Sequence, residues 1–98
     1  MENHQQRLKK VERAQRIILI ELLEQIIKRP LEKSDLKRIT AEPRTAKENS
    51  VAIFFDGEEI GEMFLRLHQS IGEVVVFEYN ERSPHFNPNH KAPQSPIG

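Results

Sequence analysis

Between Ile17 and Ile27 the chain reads Ile-Ile-Leu-Ile-Glu-Leu-Leu-Glu-Gln-Ile-Ile. As a helix, that pattern carries more apolar surface than a single sheet covers. At helical pitch Ile18, Leu22, Ile26, Leu19, Leu23, Ile27 and Ile20 fill an arc of about 200°, whereas a helix resting on one core needs a stripe of roughly 100°. The surplus calls for a second burial partner: another copy of the chain, another protein, or a further part of the same fold.

Punctuation supports one long helix over residues 4–29. Leu8 and Val11 continue the apolar arc, with Glu12, Gln15 and Arg16 interrupting it, so the first turns should be the more exposed. Pro30 pushes Arg29 out of the helical region and ends the pattern, and Lys28 and Arg29 suit the negative end of the helix dipole. Residues 30–50 are a linker or a short element. Ser34 could cap a short helix, or Leu36 to Ala41 could form an edge strand stopped by Pro43, with a polar loop following.

From Val51 the period changes to two. Val51-Ala52-Ile53-Phe54-Phe55 runs into Asp56-Gly57, a strong hairpin signal because a type I′ turn needs positive φ at both central residues. Ile60 to His68 is the return strand, Ser70-Ile71-Gly72 turns again, and Glu73 to Tyr79 is a valine-rich third strand. A two-residue turn pairs Ile53 with Ile60 and places Phe54 with Met63, Leu65 and Leu67. A bulge at Gly61 swaps those faces. In either register both sheet faces are apolar, since Phe64 alternates with Met63 and Leu65, and Val74 and Val76 alternate with Val75 and Phe77.

The expected architecture is therefore α+β: a long N-terminal helix packed on a three-stranded antiparallel meander. Residues 1–79 form one domain and 80–98 an extended tail. Four of the six prolines lie in that tail, which offers little besides Phe86 and Ile97 to bury. A chain of 98 residues has room for one core. With both the helix and the sheet too apolar for each other alone, the reading is a homodimer. Leu19, Leu23, Ile26 and Ile27 would be shared between core and interface, and Phe54, Phe64, Val74 and Val76 would supply the second sheet face.

Chemistry is sparse. Absence of cysteine excludes disulfides and thiolate metal sites, and no apolar run reaches the length of a membrane span. Residues 1–6 lack the pattern of a secretion signal, which places the expected protein in the cytoplasm with no membrane partner. His85 and His90 stand five apart in a proline-kinked stretch, and two histidines are too few for a zinc site unless His68 or a carboxylate joins them. Glu58, Glu59, Glu62 and Asp56 flank a surface turn; strict alternation sets Glu58 and Glu62 on one side and Glu59 on the other. The serines lie in turns, caps or tail, and four glycines are too few for a phosphate loop. No enzyme activity, cofactor or metal is expected.

Charge is neutral overall but uneven. Residues 1–50 carry twelve Lys and Arg against eight acids, and residues 51–98 carry three against seven. Arg7, Lys9, Lys10, Arg13 and Arg16 recur at helical spacing and could track phosphates, so nucleic acid is an alternative partner. Arg44 and Lys47 could hold a small anion at a subunit boundary. The leading expectation is a small noncatalytic interaction or regulatory protein that binds itself and an unidentified protein.

Overall fold

The computed structural model describes residues 3–44 and 50–98. Helix α1 spans His4–Ile27. Asn3 caps it: its Oδ1 accepts from the Gln6 N–H at 2.8 Å, and Gln6 Oε1 accepts from the Asn3 N–H at 3.2 Å. Two otherwise orphaned donors are thereby satisfied. The helix stops two residues before the boundary expected from Pro30. Lys28 takes a left-handed conformation, φ 59°, and its N–H closes on the Glu24 carbonyl at 3.1 Å.

A short helix and an edge strand both occur after Pro30, in succession, but Glu32 and not Ser34 stands at the helix's N-cap, and the strand begins later than Leu36 and takes in Pro43. Lys33–Lys37 is a 3₁₀ helix, and Ile39–Pro43 is strand β1. Asp35 holds this corner. Its buried carboxylate accepts from both terminal nitrogens of Arg29 at 2.9 Å and from the Glu32 N–H at 2.8 Å. The Arg29 guanidinium, then the Glu32 amide, hold its pKa below the ordinary carboxylate value. Stability from this corner is thus present above the unfolded-state pKa of about 4 and is lost as pH falls through the lower folded-state value. Asp35→Asn should flatten the acid limb of the melting temperature against pH. A variant whose acid limb matches the wild type would remove Asp35 from that role.

Strands β2 (Ser50–Phe55), β3 (Glu58–His68) and β4 (Gly72–Tyr79) are the expected meander. Asp56 and Gly57 turn the first hairpin with φ of 50° and 85°. The sheet has five strands, not three, in the antiparallel order β1-β2-β3-β4-β5. Strand β5 is Gln94–Pro96, so the proline-rich segment is not an extended tail: it returns and pairs Val74 with Pro96, Val75 with Ser95 and Val76 with Gln94. Prolines lack a donor but not an acceptor. The Pro93 carbonyl takes the Phe77 N–H at 3.2 Å, and an outer strand tolerates the missing donors.

Register departs from the simple hairpin. Phe55 pairs with Glu58 and Phe54 with Glu59, but Ile53 pairs with Gly61, leaving Ile60 as the extra residue of a bulge. Val51 and Ile53 consequently share a face with Met63, and Phe54 moves to the face of Phe64. The core is built on the first of these faces: Ile18, Leu22, Leu23, Ile53, Ile60, Met63, Val75 and Phe77 are buried there. Helix α1 lies over β4 and β5, and its C-terminal half also meets the 3₁₀ helix. No helix among the described residues is long and apolar enough to cross a membrane.

Candidate interaction surface

Most of the helical surplus is absorbed within the chain, with Ile17 the apolar residue of that stretch that stays exposed. Leu23 is wholly buried, while Leu19, Ile26 and Ile27 are half-buried and packed against the core together with Leu31 and Ile97. Residues 80–92 close over the C-terminal half of α1. Tyr79 donates its hydroxyl to Gln25 Oε1, Gln25 Nε2 donates to the Lys91 carbonyl at 3.3 Å, and the Tyr79 and Phe86 rings meet edge-on at 5.8 Å. His85 stands edge-on to Phe55 at 5.0 Å. Helix, 3₁₀ helix and this segment all pack on the sheet face that carries Met63 and Phe77.

The opposite face is organised in rows by the β3–β4 register. Phe64 pairs with Val76, Glu62 with Glu78, and Arg66 with Val74. Phe54, Phe64 and Val76 are half-buried, whereas Val74 is only 1% exposed and offers a partner almost nothing directly. The Arg66 guanidinium sits over the Phe64 ring, 5.6 Å from its centroid. Arg66 was not singled out from the sequence, although its position two residues beyond Phe64 on a strand marks it for the same face.

The bulge also regroups the acids. Glu59 and Glu62, expected on opposite sides, share this face because Ile60 shifts the alternation by one. Arg44 lies between them, paired with Glu59 and with Glu62, the latter at 3.2 Å from its Nε. Glu62 also accepts from the Ser50 hydroxyl at 3.0 Å. With two carboxylates on one guanidinium, Arg44 is neutralised rather than poised for an anion. Lys47, its expected companion, lies outside the described residues.

The basic residues of α1 divide. Arg7 is engaged by Glu73, whose pKa the guanidinium lowers. Lys9, Lys10, Arg13 and Arg16 are exposed, with Lys9, Arg13 and Arg16 on the side of α1 turned away from Ile18 and Leu22. His68 accepts from the Ser70 N–H at 3.1 Å within its own turn. A polar cavity of about 290 Å³ is lined by Gln25, Lys28, His85, Asn87 and His90 among others. Among the described residues no group of three or more His, Asp or Glu side chains is placed to share a metal. Comparisons of the chain with protein families, with characterised proteins and with solved structures each give no significant match.

Proposed function

We propose that this chain is a small noncatalytic interaction protein that self-associates and binds or blocks a macromolecular partner, using the sheet face of Phe54, Phe64 and Val76 as its contact surface. The observation that carries the reading is one-sided packing: α1, the 3₁₀ helix and residues 80–92 lie on the Met63 face, leaving Phe54, Phe64 and Val76 only half-buried on the other. Side-by-side apolar groups at the centre of a strand face favour burial, and face-to-face packing is the usual answer for a sheet.

The sheet edges support a face rather than an edge as the contact. Strand β1 ends in Glu42 and Pro43, and β5 is three residues long with Pro93 before it and Pro96 at its end. Short strands and prolines discourage strand addition. Nucleic-acid binding through Lys9, Arg13 and Arg16 ranks second, since the chain is neutral and acids are interspersed among its cations.

The test is absolute mass in solution across a concentration series, comparing the wild type with Phe64→Asp. The wild type should run as a dimer and the variant as a folded monomer, because a carboxylate there would lose its remaining hydration in the complex. Equal masses for the two proteins would reject this face as the contact.

A further inference from the structure

We infer that the occupant of the open face is a second copy of this chain, packed with its strands antiparallel to the first about a two-fold axis running across the sheet along the Phe64–Val76 row. The inference rests on the reading of that face as a contact surface and adds the partner and its orientation.

Charge selects the arrangement. On one side of the Phe64–Val76 row lies the row Glu42, Ala52, Glu62 and Glu78. Among the described residues one cation, Arg44, lies beside these three carboxylates, and it is shared with Glu59. On the other side lies the row Arg66, Val74 and Pro96, which among the described residues carries a positive charge and no acid. The face is thus acidic at one end, apolar in the middle and basic at the other.

Two copies meeting face to face through one surface must share a two-fold axis in the plane between them. An axis parallel to the strands would lay β3 over β4 of the partner subunit, setting Glu62 against Glu78 of the partner subunit in a like-charge row. An axis across the strands lays each strand over its own reversed copy. Phe64 then meets Phe64 of the partner subunit at the centre, and Arg66 meets Glu62 of the partner subunit twice by symmetry. Only the second geometry pairs opposite charges, and like charges brought together at an interface cost several kcal/mol. Both α1 helices end on the outside, with Lys9, Arg13 and Arg16 facing outward.

The arrangement makes a mixing test possible. Arg66→Glu leaves both ends of the face acidic, so that variant alone should associate about tenfold or more weakly than the wild type. Glu62→Lys sets a cation against Arg66 of the partner subunit, and it too should weaken alone. Mixed in equal amounts they should form a dimer, since each acidic position then meets a cation; sedimentation velocity reads the result. If Glu62→Lys associates more tightly than the wild type, or if the mixture fails to pair while the wild type dimerises, the axis is wrong and the contact surface stands. A wild type that is monomeric at every concentration ends both.

Glu62 also bonds Ser50 and Arg44, so a second measurement avoids disturbing it. The chain has no cysteine, and Gln94, exposed at the end of the Phe64–Val76 row and so on the axis but outside the apolar contact, can carry a single thiol as Gln94→Cys. A short bismaleimide should join two copies of that variant covalently and leave Glu24→Cys, exposed on α1, unjoined. Crosslinking of both to the same extent, or of neither while the dimer persists by mass, would overturn the geometry.

Discussion

Gly61→Ala should lower the melting temperature by roughly 12–24 °C, a destabilisation of about 3 kcal/mol or more in a domain of this size. The cause is local crowding. Gly61 is the residue at which β3 resumes pairing after the bulge, opposite Ile53 and Tyr79. A Cβ added there would overlap the Glu78 carbonyl oxygen and come within 2.5 Å of the Phe77 ring. The carbonyl belongs to the neighbouring strand and cannot rotate aside as a flexible side chain can. Relief would require β3 and β4 to separate, or the Phe77 ring to leave the core it fills with Met63 and Val75. Gly57→Ala is the comparison. Nothing lies within 4 Å of a Cβ at that position, so only the left-handed backbone, φ 85°, resists it, at a cost of about 1–2 kcal/mol. Thermal melts of the two variants separate the readings: comparable losses at both glycines would mean that the close approach at Gly61 is not what the fold depends on.

The same glycine shows how far the sequence can be read and where reading stops. Helix, hairpin turn and the strands of the meander follow from periodicity and from Asp56-Gly57, all local signals. Which face Phe54 occupies does not, because it depends on whether Ile60 is paired or bulged out, and alternation is satisfied along the chain either way. Strand β5 was hidden for a related reason. Gln94 and Ser95 between two prolines read as extended backbone, and only a neighbour such as β4, with unsatisfied groups along its outer edge, turns them into a strand. The apolar surplus of α1 was legible as a demand for burial but not as to its source. The turn-back of residues 31–37 and the return of residues 80–92 supply it, the latter through contacts no sequence window spans. At the candidate surface, Phe64 and Val76 were legible from alternation, whereas the acid–apolar–basic order of the face required the β3–β4 register.

That division between core and contact surface gives Leu23 a second decisive test. The helical arc assigns it jointly to core and interface, yet in the fold it retains no exposed surface and lies with Ile18, Leu22 and Met63. A side chain with nothing exposed can lend a partner nothing directly; its contribution is to folding. Leu23→Ala should therefore cost about 2–5 kcal/mol, the transfer energy of the lost methyl groups plus that of the cavity left behind. Its chemical-denaturation midpoint should fall accordingly, with little change in the slope. At temperatures where the variant is still folded, its self-association should equal that of the wild type. Phe64→Asp should do the reverse, since Phe64 is half-buried on the strand face opposite Met63 and lies outside the core cluster. The two variants together thus divide folding from association. A Leu23→Ala protein that stays folded but loses association would show that α1, not the open sheet face, is where two copies meet.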